Sequence, residues 1–188
     1  NLKENYSCST KEAVISIISV SENEFNKLGN MRNIFSNILE NFDMNTCMIT
    51  QNLVQTMIRK RKKEIHKGDC GRILLVAGSE GMMGAAVLTC RAALRSGAGL
   101  VQLAVSEKLF PIAQTGIPEA TCRSKSLSAG DLAVYDAVAI GPGLGVTEES
   151  VETVTQILKN YKGKLVLDAD GLNIVASDKE LLELLRCR

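Results

Sequence analysis

The chain has 188 residues, of which 45% are hydrophobic and 23% are charged, and its formal net charge is +1. This length and composition suffice for one α/β domain with a hydrophobic core, and they exclude a disordered tail. The near-neutral charge provides no strong field for binding nucleic acid or an anionic membrane surface, so neither is expected as the main partner. A small-molecule ligand is the default expectation.

The six cysteines are scattered without any CxxC pair, and His66 is the single histidine. This pattern predicts reduced thiols, no metal site and no mechanism that needs two histidines. The longest apolar run near the start, residues 13–20, contains two serines and is shorter than the roughly 20 residues that span a membrane. We therefore predict no membrane segment and no signal peptide, and we expect a cytoplasmic protein.

Residues 1–65 differ in character from the rest of the chain. They contain one glycine, Gly29, and apolar residues with helical spacing at 11–20, 31–42 and 50–58. A basic run at 59–63 is interpreted as a solvated helix end or linker rather than as a nuclear or phosphate-binding signal. We divide this region into an unassigned helical segment, 1–45, and a connector, 46–65.

Residues 66–188 hold the other fourteen glycines, which follow apolar, β-branched runs. Unbroken apolar runs predict strands at 72–77, 100–105, 137–140 and 164–167, with helices at 84–95, 107–114, 148–160 and 179–185. Alternating strands and helices predict a parallel sheet within a three-layer α/β sandwich. Ligands of such sheets bind beyond the carboxyl ends of the strands.

The first glycine loop, residues 78–84, has the spacing G-x-x-G-x-x-G between a predicted strand and a predicted helix. Its glycines permit positive φ and close approach of a ligand, and the helix amino terminus offers N–H groups to an anion. Glu107 follows the next strand, where a dinucleotide-binding fold places a ribose-binding acid. A tight turn without a ligand remains the alternative.

The second glycine loop, residues 141–145, contains three glycines and Pro142 after another predicted strand. Such a loop is rigid and lacks side-chain bulk, which suits a flat ring or a phosphate lying against the backbone. Thr147 is a candidate N-cap for the helix that follows. We favour a binding function over a simple turn.

The aspartate loop, residues 168–173, places Asp168, Asp170 and Asn173 after the last predicted strand. Carboxylates there can hold ribose hydroxyls, orient a substrate hydroxyl or bind Mg²⁺ through water. An aspartate can also cap the helix that starts near Gly171, and this structural role fits Asp170 better than Asp168. Upstream of the first strand, His66 and Lys67 are equally consistent with phosphate binding and with a charged lead-in to the sheet.

Taken together, these segments resemble the ADP/ATP-dependent NAD(P)H-hydrate dehydratase family over about residues 46–176. The resemblance is carried by HKGDCGRILLVAGSEGMMGAAVLTCRAALRSGAGLVQLAV, by IPEA at 117–120, by DAVAIGPGLG and by LVLDADGLN. It implies a ribokinase-like fold and the carboxyl-terminal domain of bifunctional NAD(P)H-hydrate repair enzymes. An epimerase domain precedes that domain in many bacterial members, and residues 1–45 are interpreted either as an unassigned helical segment or as a remnant or tail of such a domain, while residues 66–188 correspond to the amino-terminal half of the dehydratase domain.

The resemblance also implies a reaction and a set of binding residues. Hydrated NADH or NADPH is phosphorylated on its ring hydroxyl by ADP or ATP with Mg²⁺, and loss of phosphate then restores the reduced nicotinamide, so the enzyme is a carbon–oxygen lyase of metabolite repair. Ala85 and Gly143 match positions that bind the hydrated nicotinamide nucleotide. On this basis Gly143→Val is expected to weaken binding more than stability.

Further residues are carried over from the same resemblance. Gly84, Gly141 and Asn173 are neighbours in the expected site, and Asp168 is expected to face the same cleft. His66 and Lys67 match the family pattern and are assigned only a phosphate contact.

The family continues with a His-Pro-Gly-Glu loop, a Lys-Gly strand and a Gly-Gly-x-Gly-Asp loop whose Asp acts on the substrate hydroxyl, and none of these follows Asn173. We therefore expect a sheet that is incomplete at the C-terminus, no catalytic residue within 66–188, and a homo-oligomer when the domain is complete. The alternatives are a non-catalytic nucleotide-binding pseudoenzyme, another ribokinase-like small-molecule kinase and a Rossmann dehydrogenase. The glycine loops argue against the kinase, and the absence of a hydride-transfer site argues against the dehydrogenase.

Overall fold

The computed structural model describes Gln51, Val54, Gln55 and residues 63–187. Residues 65–187 belong to one compact unit, which contains every element described below. Gln51, Val54 and Gln55 are helical, in agreement with the helix predicted at 50–58. The helices predicted at 11–20 and 31–42 lie outside the described residues.

The described part of the chain forms one parallel sheet of five strands in the order β3-β2-β1-β4-β5. The strands are β1 Arg72–Val76, β2 Leu100–Ala104, β3 Thr121–Arg123, β4 Ala137–Ile140 and β5 Lys164–Leu167. The four predicted strands are confirmed. The additional strand, β3, was missed because it has three residues and no apolar run.

The helices are α1 Met83–Arg95, α2 Phe110–Gly116, α3 Ala129–Leu132, α4 Glu148–Asn160, α5 Asp170–Ser177 and α6 Lys179–Arg186, with short 3-10 helices at Lys67–Cys70 and Glu107–Leu109. Thr147 caps α4 as predicted, because its Oγ1 accepts a hydrogen bond from the N–H of Ser150 (3.2 Å). Asp178 caps α6 by accepting from the N–H groups of Glu180 and Leu181. The four-residue α3 was not predicted.

The core has two layers, one on each face of the sheet, because successive strand residues point to opposite faces. On one face, Leu75 and Leu103 pack with the buried residues of α1 and α2. On the other face, Leu74 and Ile140 pack with the buried residues of α4, α5 and α6. This arrangement confirms the three-layer α/β sandwich.

The described cysteines Cys70, Cys90, Cys122 and Cys187 are free thiols, as predicted. Burial, with a smaller contribution from Cys122, raises the pKa of Cys90 to about 12, so this thiol stays protonated within the core. Among the described helices, none has both the length and the apolar character needed to cross a membrane.

A cluster of polar side chains connects β3 to α3, which lie at the two ends of segment 124–128. The Arg123 guanidinium lies 3.0 Å from the Asp131 carboxylate and donates to the Tyr135 hydroxyl (3.2 Å). Hydrogen bonds from the hydroxyl and N–H of Ser128, and the contact with Arg123, hold the pKa of Asp131 well below its usual range. The ends of segment 124–128 are therefore fixed in position.

Candidate active site

The two glycine loops meet at the carboxyl edge of the sheet, after β1 and β4. The Gly78 N–H donates to the carbonyl oxygen of Pro142 (2.9 Å), and the Ser79 hydroxyl donates to the carbonyl oxygen of Gly143 (2.9 Å). The two loops therefore share one edge of the sheet, as is expected of loops that follow parallel neighbouring strands. No sequence pattern marked Ser79 as the residue that links them.

Glycines of the first loop have different surroundings. Gly78 has φ +81°, and an added Cβ would lie 2.8 Å from Ala86 Cβ and 2.9 Å from Met83 Sδ, so close packing against α1 requires glycine there. Gly84, in the first turn of α1, is exposed, and an added Cβ would meet no atom within 4 Å. Open space for a ligand therefore lies at Gly84 rather than at Gly78.

Ala85 and Gly143 are neighbours, although they are far apart in sequence. Gly143 has φ +63°, and an added Cβ would lie 2.8 Å from Ala85 Cβ and 2.9 Å from the carbonyl oxygen of Met82. A side chain at Gly143 would thus collide with the first loop before it reached any ligand. The expectation that Gly143→Val affects binding more than stability needs revision on this ground.

The second glycine loop and the aspartate loop interlock at the ends of β4 and β5. Gly141 is buried with φ +132°, and its added Cβ would lie 1.8 Å from the carbonyl oxygen of Asp168 and 2.7 Å from the nitrogen of Gly171. Conversely, a Cβ on Gly171 would lie 2.8 Å from the carbonyl oxygen of Ile140. The backbones approach too closely for any side chain at Gly141.

The two aspartates have separate roles. Asp170 Oδ2 accepts from the Gly145 N–H (2.8 Å) and Oδ1 accepts from Asn173 Nδ2 (3.3 Å), so Asp170 fixes the second glycine loop. Asp170 is thus structural, but the expectation that it caps the helix near Gly171 is wrong, because α5 begins at Asp170 itself and has no side-chain cap. Asp168 is exposed, and its Oδ1 accepts from the N–H of Ala169 (2.8 Å).

Ala169 is the one non-glycine residue with positive φ in the described part of the chain, at φ 45° and ψ −119°. Such a backbone conformation costs about 1–3 kcal/mol and persists where the surroundings enforce it. Here the backbone of Gly141 packs closely against Asp168 and Gly171, on either side of Ala169, and this packing holds the Ala169 backbone in its unfavourable conformation. The strain lies next to the exposed Asp168 carboxylate.

His66 and Lys67 lie at the opposite edge of the sheet. Lys67 belongs to the 3-10 helix before β1, and its carbonyl oxygen would lie 1.6 Å from a Cβ on Gly99, which directly precedes β2. The five residues of β1 separate this edge from the glycine loops by about 16 Å. The structure therefore does not bring His66 and Lys67 together with the other site residues, and their phosphate contact stays a prediction.

The remaining predicted residues do assemble at the carboxyl edge: Gly84, Ala85, Gly141, Gly143, Asp168 and Asn173. Within the described residues, no three His, Cys, Asp or Glu side chains are grouped so that they could hold a metal ion. The arrangement thus offers a side-chain-poor surface, a helix amino terminus and an exposed carboxylate.

A family model described as NAD(P)H-hydrate dehydratase matches residues 73–188. The bifunctional NAD(P)H-hydrate repair enzyme of Moorella thermoacetica is 36% identical over 151 residues, which cover 73% of this chain and 28% of that protein. The ADP-dependent (S)-NAD(P)H-hydrate dehydratase of Listeria monocytogenes is 38% identical over 135 residues, which cover 68% of this chain and 48% of that protein.

Solved structures agree with these matches. The ADP/ATP-dependent NAD(P)H-hydrate dehydratase of Bacillus subtilis, co-crystallised with ATP and Mg²⁺, has a TM-score of 0.61 and 36% identity, and the match covers 69% of this chain and 48% of that one. A ribokinase-like superfamily protein of Enterococcus faecalis, at 22% identity and a TM-score of 0.63, shows the shared fold; the match covers 71% of this chain and 51% of that one. The chain spans between about a quarter and half of these relatives. Since the family model matches more than half of the chain, and includes both glycine loops and the aspartate loop, the chain belongs to the NAD(P)H-hydrate dehydratase family.

Proposed function

We propose that this protein takes part in metabolite repair, in the ADP- or ATP-dependent dehydration of hydrated NADH or NADPH back to the reduced cofactor. The observation that carries the proposal is the contact between the glycine loops, which places Ala85 beside Gly143 next to open space at Gly84. Family membership supports the same reaction class. The enzyme would be a carbon–oxygen lyase.

In this proposal the hydrated ring lies against the backbone at Gly84, Ala85 and Gly143, where side chains are small or absent. Helix α1 begins at Met83 without a side-chain cap, so its first N–H groups suit an anionic part of the nucleotide. The exposed Asp168 carboxylate accepts a hydrogen bond from a ring or ribose hydroxyl. These residues bind and orient the substrate.

The phosphoryl donor, ADP or ATP, supplies the group that turns a ring hydroxyl into a better leaving group. Mg²⁺ in such sites is held by one or two carboxylates together with phosphates and water. Among the described residues, Asp168 is the candidate for one such ligand, but no complete metal site is present there.

A second candidate function is non-catalytic nucleotide binding, which is favoured by the lack of a grouped set of metal ligands within the described residues. The proposal also includes a cytoplasmic location and homo-oligomeric assembly of the complete domain, which rest on the sequence and on the family. Small-molecule binding is common to both candidate functions.

Binding of hydrated NADH to the 188-residue chain tests what both functions share. Calorimetric titration should show saturable binding of hydrated NADH that is tighter than binding of NADH. Equal affinity for the two, or no binding of either, would contradict the proposed site.

A chimera separates the two candidate functions. The whole 188-residue chain, including α5 and α6, is joined to the segment of the Listeria dehydratase that lies beyond the matched region. Recovery of NADH absorbance is followed with Mg²⁺ and ADP or ATP. Turnover supports the dehydratase. A folded chimera that binds hydrated NADH without turnover supports non-catalytic binding.

A further inference from the structure

A second cleft, of about 480 Å³, lies beyond the carboxyl ends of β2 and β3. Its walls are the 3-10 helix Glu107–Leu109, the segment that follows β3, and the first turns of α4. The cleft is on the same edge of the sheet as the glycine loops. None of the residue assignments above except Glu107 falls within it.

Lys125 lines this cleft and is 8% exposed. Its Nζ lies 3.9 Å from Glu149 Oε1, and the Glu149 side chain is 66% exposed. This separation is too long for a hydrogen bond but within the range of an ion pair, so the lysine stem is buried while its ammonium group remains at the cleft. An anion in the cleft could therefore form a charged hydrogen bond with this ammonium group, which Glu149 contacts only at ion-pair distance.

Two serine hydroxyls accompany Lys125. Ser106 is the N-cap residue of the 3-10 helix, yet its side chain makes no capping hydrogen bond. The Ser124 hydroxyl accepts from the Ser126 N–H (3.4 Å), which leaves its own proton for donation. Both serines line the cleft and can donate to a phosphate oxygen.

The rim of the cleft has the opposite charge. Glu107, Glu149 and Glu152 are exposed there, against the single exposed cation Lys108. Three carboxylates disfavour a free polyanion, but they accept hydrogen bonds from the hydroxyl groups of a sugar. Glu107 lies after the second strand of the sheet, where dinucleotide-binding folds place the acid that binds a ribose.

The cleft is joined rigidly to the glycine loops through α4. Thr147 caps this helix directly after the second glycine loop, and the Ser150 hydroxyl donates to the carbonyl oxygen of Leu144 (3.2 Å). Glu149 and Glu152 extend from the same two turns into the cleft. A ligand that occupied both the cleft and the surface of the glycine loops would therefore contact residues whose relative positions are fixed by α4.

We propose that this cleft binds a phosphorylated ribose, with Lys125 and the serines holding the phosphate and Glu107 accepting from a ribose hydroxyl. The identification of that group as part of the hydrated dinucleotide rests on the function proposed above. The binding site itself does not, because it follows from the buried lysine, the hydroxyls and the acidic rim.

Titration of the 188-residue chain with ribose 5-phosphate, ribose and inorganic phosphate tests this assignment. Lys125→Gln should weaken ribose 5-phosphate binding by about tenfold or more, since a charged hydrogen bond is lost. It should leave ribose binding unchanged, and Lys125→Arg should retain most of the affinity. Lys159→Gln, which removes an exposed lysine from the last turn of α4, is the matched control.

Glu107→Gln gives an independent result at an exposed position, where the substitution does not disturb the core. It should weaken ribose and ribose 5-phosphate but not inorganic phosphate. Equal binding of ribose 5-phosphate by wild type and both variants, or no binding by wild type, would overturn the proposal. If the chimera is inactive but the 188-residue chain binds ribose 5-phosphate through Lys125, the result counts against the dehydratase function and not against the cleft. If the chimera is active but Lys125→Gln does not change ribose 5-phosphate binding, the result counts against the cleft and not against the dehydratase function.

Discussion

Gly84 belongs to the first glycine loop and Gly143 to the second, and the space around the two residues differs. An added side chain meets open space at Gly84 and meets Ala85 and the Met82 carbonyl at Gly143. Gly143 also has a positive φ, which L-residues rarely adopt. The first glycine is therefore available to a ligand, and the second is required by the protein.

Gly143→Val is expected to lower the free energy of unfolding by about 1–3 kcal/mol for the strained φ, with a similar further loss from overpacking. Denaturant unfolding measures this change. Gly68→Val is the control, because an added Cβ there meets no atom within 4 Å and the φ is not positive. An unchanged midpoint for Gly143→Val would show that the loops can separate without cost.

Gly84→Leu should have the opposite profile. Stability is expected to hold or to rise by up to about 1 kcal/mol, because glycine is a poor helix former in α1. Binding of hydrated NADH should fall by about tenfold or more, which corresponds to at least about 1.4 kcal/mol. Calorimetry beside a thermal melt measures both quantities, with Gly68→Leu at the opposite edge as control. Unchanged binding would remove Gly84 from the site.

At the scale of elements, strand prediction succeeded where the strand is a mainly apolar run, even in β5, where the Val166 side chain is 49% exposed. β1, β2, β4 and β5 are apolar runs that the sequence displays directly. β3 was not predicted because Thr121, Cys122 and Arg123 are not an apolar run. They form an edge strand, and its arginine belongs to a polar cluster. For α3 a signal existed, since Ser128 and Asp131 form a capping box with the spacing S-x-x-D.

The connection between the aspartate loop and the second glycine loop depends on Asp170. Asp170→Ala removes the acceptor of the Gly145 N–H and should cost about 1–3 kcal/mol of unfolding free energy. Denaturant unfolding, together with faster hydrogen exchange of the Gly145 amide, checks this expectation. Asp168→Ala is the matched control, and it should cost less because the Asp168 carboxylate is exposed. An equal loss from both variants would contradict the assigned roles.

At the scale of the whole molecule, the sequence predicted that six of the eight candidate residues share one edge, because parallel strands bring their carboxyl ends together. It could not show that His66 and Lys67 lie elsewhere, since these residues adjoin β1 in the chain but at its amino end. It also gave no sign of Lys125, whose position in the cleft depends on the segment after β3 lying beside α4. Strand polarity and tertiary packing decide these positions.

The 188 residues by themselves are expected to show no ADP- or ATP-driven repair of hydrated NADH. Phosphoryl transfer requires donor, acceptor and metal held in line, and these residues span only about a quarter to half of the length of the relatives. The test is a coupled assay with Mg²⁺ and either nucleotide, with the Listeria dehydratase as positive control. Turnover within about tenfold of that control, a barrier difference of about 1.4 kcal/mol, would contradict the prediction.

The hydrogen bond between Ser79 and Gly143 joins residues that are 64 positions apart in the chain. A contact of this kind carries the entropic cost of closing a long loop before it stabilises anything, so it depends on the central pairing of β1 with β4. The ordered conformation of the two glycine loops thus depends on the strand pairing in the middle of the sheet. A substitution that weakens the β1–β4 pairing would loosen ligand recognition while leaving every residue of the binding surface unchanged.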